Sequence, residues 1–357
     1  MGLRNPHLQT VLAARLIRPA LPPLRRERLE LDDGDFLDLA HGGEAAGQRP
    51  TVCLFHGLAG GLGSSYVAGA FNALTGAGCR VTLMHWRGCS GEPNRLARSY
   101  HSGASEDIAR MAALLAERHP GSPLIGLGYS LGGNALLTYL GQQGESAGFD
   151  AAIAVSPPLV LSVGADTLSR GAARGYQRFL LGLMRQHHEA KRRARPELDL
   201  PAATASLDTF WRFDDALTAP LHGFDGVHDY YQRCSARRWL GGIRRPVHIL
   251  SAADDPFFSP AILPEERELA AGTRHEVSVH GGHVGFLSGW RTRWLDARVA
   301  GLAADLAADL VADLATNLGA NSAANAVSRP GPRPDLHRPR AGHADAGRRC
   351  PVGGGAR

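Results

Sequence analysis

A serine flanked by glycines is the first feature of this sequence that could do chemistry. Residues 128–132 read Gly-Tyr-Ser-Leu-Gly, a G-x-S-x-G pattern with Ser130 at its centre. The apolar run before it predicts a strand and the residues after it predict a helix, which is the context that a nucleophile elbow requires. In such an elbow the serine sits on a strained turn beside the helix N-terminus, whose N–H groups favour a developing oxyanion. The pattern predicts a nucleophile, against the alternative of a bystander serine in a glycine-rich turn.

A serine hydroxyl needs a base to take its proton, and the base needs a carboxylate to orient it. His283 lies among glycines after a strand predicted at 276–279, and Asp254 and Asp255 follow a strand predicted at 246–250. The chain order Ser, Asp, His is that of the α/β-hydrolase arrangement. We predict His283 as the base. We predict Asp255 as the orienting acid because the acid in such loops commonly precedes a proline, and the adjacent Asp254, expected to be a turn residue, is the alternative.

An oxyanion formed at this serine would need two backbone N–H donors. One is expected from Leu131, directly after the nucleophile. The other is expected from Leu58, in the loop Phe-His-Gly-Leu-Ala-Gly-Gly at 55–61, whose glycines allow the chain to bend over the site. The alternative for this loop is a phosphate cradle, but it contains neither G-x-G-x-x-G nor G-K-[ST].

Other reactive side chains have weaker claims to a catalytic role. Cys89 is a rival nucleophile, but no histidine motif is placed to serve it, so a structural thiol is the better interpretation. Arg87 is expected to pair with a carboxylate that braces its loop. His187, His188 and His275 lack the carboxylate or cysteine spacing of a metal site. We therefore expect no metal and no cofactor.

The elements around these residues alternate between apolar strands and helices, which predicts an α/β fold with a mostly parallel sheet between helices. A hairpin is predicted by alternating residues around Asp33-Gly34. The predicted strands lie at 28–31, 36–39, 51–55, 80–84, 124–128, 151–155, 246–250 and 276–279. The predicted helices lie at 66–77 and 104–118, and another begins at 134–140.

The alternation stops after Ser156 and returns near residue 246, so a helical insert is expected to cap the carboxyl edge of the strands. Leucines recur every four residues from Leu302 and predict an amphipathic helix packed on the body, with a partner helix as the alternative. The predicted organisation is an N-terminal extension (1–26), a core (27–156 and 237–298), a cap (157–236), the amphipathic helix (299–320) and a disordered tail (321–357).

The overall charge does not predict a nucleic-acid-binding protein. The net charge is +5 over 357 residues, but Lys191 is the only lysine and the arginines are spread along the chain. The one dense basic run, 191–195, is expected to be a solvated loop or helix end.

Cysteine usage and hydropathy indicate a cytoplasmic chain. The five cysteines show no paired spacing, which indicates reduced thiols rather than a disulfide framework. Arg15 and Arg18 interrupt the apolar N-terminal stretch, so no secretory signal is expected. No stretch approaches the roughly 18 apolar residues of a membrane helix.

Several motifs together are similar to the YheT-like subfamily of α/β-hydrolases. They are Asn5–Thr10, His56–Leu58, Trp86–Asn94, Tyr100–Gly103, Gly128–Asn134, Pro220–Phe224 and Asp254–Phe257. The resemblance runs from about residue 5 to 298, and the later tail departs from it. It implies carboxylesterase-like activity on small-molecule acyl esters, including lipid esters, in the bacterial cytoplasm and without a cofactor. It also implies a triad of Ser130, Asp255 and His283.

Two other functions are compatible with these residues. An acyltransferase would use the same triad with an alcohol in place of water, although no His-x-x-x-x-Asp sequence of the acyltransferase type is present. A non-catalytic binding module on the same fold would usually lack a triad member, and here all three are in place. The cap residues show no pattern that predicts acyl chain length or the alcohol group.

Overall fold

An eight-stranded sheet is the central element of the computed structural model, which describes residues 4–43, 47, 49–202, 204–289 and 293–327, the last eleven residues by their backbone alone. The strand order is β1-β2-β4-β3-β5-β6-β7-β8. The strands are β1 (Arg25–Glu30), β2 (Phe36–Gly42), β3 (Thr51–Phe55), β4 (Arg80–Met84), β5 (Leu124–Tyr129), β6 (Ala151–Val155), β7 (Val247–Ala252) and β8 (Thr273–Ser278). β1 and β2 are antiparallel, β2 pairs antiparallel with β4, and the remaining neighbours are parallel.

The central strands are buried because helices cover both faces of the sheet. Every residue of β3, β5 and β6 is buried, as their apolar sequences predict. β8 begins at Thr273, three residues before the predicted start, because an edge strand tolerates polar residues that periodicity does not register as a strand.

Helices from the first half of the chain pack on both faces of the sheet. α3 (Ser105–Arg118) and α4 (Leu131–Gln143) contribute Met111 and Leu136 to the core on one face of the sheet. α2 (Ser65–Gly76) contributes Phe71 on the other face. This arrangement confirms the predicted α/β-hydrolase fold class.

The segment between β6 and β7 is helical. It contains α5 (Leu161–Leu168), α6 (Arg174–Ala194), α7 (Phe210–Phe213), a π-helical turn (Asp214–Thr218), α8 (Ala219–Leu221) and α9 (Val227–Cys234). The two ends of this segment are bonded to each other. The Leu161 N–H donates to Ser235 Oγ at 3.0 Å, and the Arg237 N–H donates to the Leu159 carbonyl at 3.0 Å.

The side chain of Asn134, on α4, ties the same region to the core. Its Nδ2 donates to the carbonyls of Ser102 and Cys234 at 2.8 and 2.7 Å. Its Oδ1 accepts from the Ala236 N–H at 3.0 Å. The helix that follows Ser130 is therefore bonded to the end of the helical segment.

The predicted N-terminal extension contains a helix, α1 (Pro6–Arg15). Asn5 caps it, because its side chain accepts a hydrogen bond from the Leu8 N–H, and Pro6 occupies the first helical position, where no N–H is needed. Arg25 and Arg26, which the sequence prediction placed in the extension, belong to β1.

The last helix, α10 (Trp294–Val327), is longer than the predicted 299–320. Leu295 and Val299 continue the leucine stripe toward the N-terminus and are buried with Leu302 and Leu306. Residues 321–327, which the sequence prediction assigned to a disordered tail (321–357), are the last residues of this helix, where alanines favour helix. The rest of the predicted tail lies outside the described residues. The chain divides into a unit up to Ala312 and a second unit from Asp313. None of the described helices has the length and apolarity needed to cross a membrane.

Candidate active site

The topology opens a crevice at the carboxyl ends of β3 and β5. These strands are adjacent, but the chain continues from β3 to β4 on one side and places β5 on the other. In open parallel sheets such a switch point is where ligands bind, because the loops leave the two strands in opposite directions. The loop after β3 carries Leu58, and the turn after β5 carries Ser130.

Ser130 occupies the sharp turn between β5 and α4. Its φ of 50° and ψ of −119° lie outside the regions that side chains favour. The turn is possible because its neighbours lack side chains. A Cβ on Gly128 would lie 2.5 Å from the Gly132 carbonyl oxygen, and one on Gly132 would meet the carbonyl oxygens of Phe55 and His56. Both glycines of the G-x-S-x-G pattern are therefore required by close backbone packing.

His283 lies between Ser130 and Asp255. Its Nε2 is 3.0 Å from Ser130 Oγ, and its Nδ1 is 2.8 Å from Asp255 Oδ2. An ionised carboxylate only accepts hydrogen bonds, so Nδ1 carries the proton and Nε2 faces the hydroxyl as an acceptor. The structure brings together three side chains that the sequence predicted to converge, and their geometry suits transfer of a proton from the serine.

Asp254 has a different set of contacts. Its Oδ1 accepts from the N–H groups of Gly281 and Gly282 at 2.9 and 3.0 Å, and its Oδ2 is 3.1 Å from His280 Nδ1. Of the two adjacent carboxylates, Asp255 contacts the imidazole of His283 and Asp254 holds the loop before it.

Two aromatic rings pack against the His283 imidazole. Phe257 stacks on it with ring centroids 3.9 Å apart and an interplanar angle of 9°, and Phe258 meets it edge-on at 5.3 Å. The Phe257 N–H also donates to Asp255 Oδ1 at 2.8 Å. These contacts restrict rotation of the imidazole and of the carboxylate that faces it.

The two predicted N–H donors both border the cavity that contains Ser130. Leu131 is the first residue of α4, and the first N–H groups of a helix have no partner within it. The N–H groups of the two residues beside Leu58 donate to tyrosine hydroxyls. The Gly57 N–H donates to Tyr66 Oη at 2.9 Å, and the Ala59 N–H donates to Tyr100 Oη at 2.8 Å.

His56, beside Leu58 in the same loop, has a structural role. The Trp86 N–H donates to His56 Nε2 at 3.2 Å, so Nε2 is an acceptor and carries no proton. The proton of the neutral ring is therefore on His56 Nδ1, which donates to the Gly57 carbonyl at 2.8 Å. Burial lowers the pKa of His56 to about 3, so the ring stays neutral at physiological pH. The Trp86 indole donates to the His56 carbonyl at 2.8 Å, which anchors the loop from the other side.

Helix α1 supports the loop that carries His283, a role that the sequence did not predict. Thr10 Oγ1 accepts from the His283 N–H at 2.9 Å and donates to the Pro6 carbonyl at 2.8 Å. Gln9 is 1% exposed, and its Oε1 accepts from the Leu287 N–H at 2.8 Å. The resemblance had included these residues within Asn5–Thr10, but no chemical pattern marked them as neighbours of the histidine.

Arg87 pairs with carboxylates, as expected. Its guanidinium contacts Asp107 at 2.7 Å, Asp33 at 2.7 Å and Asp35 at 3.1 Å. Burial raises the pKa of the Cys89 thiol to about 12, so it is a poor nucleophile at neutral pH. Within the described parts of the chain, no group of three or more His, Cys, Asp or Glu residues could hold a metal ion.

A cavity of about 700 Å³ extends from Ser130 into the helical segment and out to α1. Its lining is mostly apolar, with Leu161, Leu180, Met184 and Phe213 contributed by the helical segment. Such a cavity is large enough to enclose an extended apolar group next to the hydroxyl.

Comparisons with known proteins agree with this fold. The family model described as alpha/beta hydrolase fold matches residues 50–289. The Escherichia coli K12 protein named "Putative esterase YheT" is 39% identical over 306 residues, which are 84% of this chain and 90% of that protein. The mouse protein named Phospholipase ABHD3 is 28% identical over 77% of this chain and 70% of its own length.

Solved structures share the fold at low sequence identity. An arylesterase superposes with a TM-score of 0.52 at 15% identity, covering 84% of this chain and 89% of its own. A soluble variant of monoglyceride lipase from Saccharomyces cerevisiae gives 0.51 at 16% identity, covering 81% and 96%. The family match and the Escherichia coli relative confirm the predicted resemblance, and the chain belongs to the alpha/beta hydrolase family, in its YheT-like subfamily.

Proposed function

We propose that the protein hydrolyses carboxylic esters through a Ser130–His283–Asp255 triad. The observation that carries this proposal is the position of the His283 imidazole, 3.0 Å from Ser130 Oγ and 2.8 Å from Asp255 Oδ2. A base within hydrogen-bond reach of the nucleophile, itself oriented by a carboxylate, is the arrangement that activates a serine.

In the first half-reaction Ser130 Oγ attacks the ester carbonyl carbon while its proton passes to His283 Nε2. Asp255 stabilises the imidazolium through Nδ1–H. The N–H groups of Leu58 and Leu131 bind the oxyanion. The tetrahedral intermediate collapses, the carbon–alkoxide bond breaks and the alcohol leaves with the proton from Nε2. Water, deprotonated by His283, then attacks the acyl-enzyme and releases the acid and the free serine.

The cavity supports esters with an apolar acyl group, including lipid-like esters. The lining of the cavity is mostly apolar, and its volume is about 700 Å³. Relatives are named esterase, phospholipase and, in yeast, monoacylglycerol lipase. We assign residues 157–236 as the cap, because helices from this segment supply much of the apolar lining.

Labelling with a fluorophosphonate, followed by assays on p-nitrophenyl esters of increasing chain length, tests the proposal. We expect labelling and turnover in the wild type and neither in Ser130→Ala. Ser105→Ala is the matched control, because its hydroxyl lies on α3 and contacts Gln142 rather than the cavity. A chain that resists labelling would be a binding module, and transfer of the acyl group to added alcohols in preference to water would indicate an acyltransferase.

A further inference from the structure

Large apolar side chains are exposed where the cavity opens. On α1, Leu8 and Val11 are 46% and 44% exposed, and Leu16 directly after the helix is 74% exposed. On α6, Phe179 is 48% exposed. The two helices are in contact here, since Arg15 lies over the Phe179 ring at 5.0 Å. We call these four apolar residues, with the arginines around them, the mouth surface.

The stretches around these residues carry positive charge, and the one carboxylate of α6, Glu189, pairs with Arg192 farther along the helix. Residues 4–26 and 167–188 contain no Asp or Glu. Their arginines are Arg4, Arg15, Arg18, Arg25, Arg26, Arg170, Arg174, Arg178 and Arg185. Among the residues that the structure describes, Arg15, Arg18 and Arg178 form no ion pair, whereas many arginines elsewhere do.

The mouth surface is continuous with the cavity. Val11, Arg15 and Phe179 line the cavity as well as facing solvent. A molecule that enters toward Ser130 therefore passes exposed apolar side chains and the guanidinium group of Arg15, which forms no ion pair with a described residue. The combination of aliphatic and aromatic side chains with arginines on one face is typical of segments that lie in a membrane interface.

We infer that the mouth surface binds an anionic lipid bilayer. The exposed side chains of Leu8, Leu16 and Phe179 would enter the boundary between headgroups and acyl chains, and the arginines would contact lipid phosphates. A second copy of this chain is a poorer occupant, because a two-fold contact would bring the same arginines together without a carboxylate. A nucleic-acid backbone offers no partner for the aliphatic side chains. This binding does not depend on the proposed esterase activity.

Co-sedimentation with vesicles tests the inference. We expect the wild type to bind vesicles of phosphatidylglycerol and phosphatidylcholine, to bind pure phosphatidylcholine far more weakly and to dissociate at high salt. Arg18→Glu with Arg178→Glu should weaken binding about 20-fold or more, and Leu8→Ser with Leu16→Ser should weaken it at low and high salt alike. None of these four residues lines the cavity.

The controls come from β8, an edge strand of the sheet, whose residues do not line the cavity. Arg274 is an exposed residue near the amino end of β8, and Val277 on the same edge strand is 42% exposed. Arg274→Glu and Val277→Ser should bind vesicles as the wild type does. All variants should hydrolyse a soluble short-chain ester at the wild-type rate, which shows that they are folded.

Three results would overturn the inference. The wild type could fail to bind anionic vesicles, the mouth variants could bind as tightly as the controls, or light scattering could show a dimer that only the mouth variants disrupt. A wild type that binds vesicles but hydrolyses no ester would instead contradict the proposed function and leave the inference standing.

Discussion

The backbone N–H of His283 donates a 2.9 Å hydrogen bond to the side-chain hydroxyl of Thr10, a residue 273 positions earlier in the chain. The loop around the histidine also packs tightly on α1. Gly282 has a φ of 59°, and a Cβ there would lie 2.5 Å from the Pro6 carbonyl oxygen. The position of the imidazole therefore depends on the N-terminal helix as well as on Asp255.

Replacing Thr10 by valine should lower kcat about tenfold to a hundredfold, since a small displacement of the base is costly. Valine keeps the shape but leaves the buried His283 N–H without an acceptor. KM should change little, so the loss should appear in kcat. Thr10→Ser retains the hydroxyl and should restore kcat. Equal kcat values in the two variants would show that Thr10 does not position the histidine.

Substituting the two adjacent aspartates should separate their roles. Asp255→Asn removes the carboxylate on Nδ1 and should lower kcat by about four orders of magnitude. Asp254→Asn should have a much smaller effect, because an amide oxygen can still accept from Gly281 and Gly282. Steady-state kinetics on one short ester, with circular dichroism to verify folding, makes the comparison. The reverse ranking would mean that the imidazole is oriented by Asp254.

Gly132→Ala should destabilise the fold by about 1–3 kcal/mol or prevent folding, because the new Cβ would press on the backbone of β3, which cannot rotate away. Gly182→Ala is the control. It lies on α6, where an added Cβ would have no described atom within 4 Å apart from the neighbouring turns of the same helix. Alanine should therefore stabilise the helix by about 0.5–1 kcal/mol. Urea unfolding measures both. A Gly132→Ala protein as stable as the control would contradict the close packing at the elbow.

Asp214, in the cap, should make stability depend on pH. Burial raises its pKa from 3.8 to about 6, although Thr218 and Tyr231 donate hydrogen bonds to it. Between these values the folded protein holds a proton that the unfolded chain has lost. The free energy of unfolding should therefore fall as pH rises through this window, by about 3 kcal/mol from this group.

Asp214→Asn should remove that contribution, so its stability relative to the wild type should improve between about pH 4 and about pH 7. Urea unfolding at both pH values measures the difference. Asp208→Asn is the control, because Asp208 is exposed on the same cap and pairs with Arg212 at the surface. A constant difference between Asp214→Asn and the wild type across this range would be inconsistent with a buried, proton-holding carboxyl.

Local patterns predicted the parts of the fold that depend on local physics. Thr51–Phe55 and Ala151–Val155 are short apolar runs, and the structure has strands at those residues because both faces of the sheet are covered. The turn at Ser130 could be predicted for a related reason. Gly128 and Gly132 are required by backbone contacts within a few residues of Ser130 and the adjacent strand, so the pattern itself encodes the turn.

No sequence pattern predicted that α1 supports the loop of His283. The side chains of Gln9 and Thr10 accept hydrogen bonds from backbone N–H groups of that loop, which is distant in sequence. Because every non-proline residue has a backbone N–H, these contacts require no particular residue types in the loop. The extent of α10 was underestimated because residues 321–327 favour helix without a strong stripe. Long-range contacts to the main chain are therefore difficult to predict from a single sequence.

Two sets of hydrogen bonds that join the cap to the core bear on how the protein moves: those from Asn134 to Cys234 and Ala236, and that from the Arg237 N–H to the Leu159 carbonyl. Swinging the cap away as a rigid lid would break these bonds at both of its ends, at about 1–3 kcal/mol for each buried group left unpaired. Rotations of surface side chains need no such rupture and occur within nanoseconds, whereas domain motions take microseconds to milliseconds. We therefore expect Val11 and Phe179, rather than the cap as a whole, to gate ligand exchange.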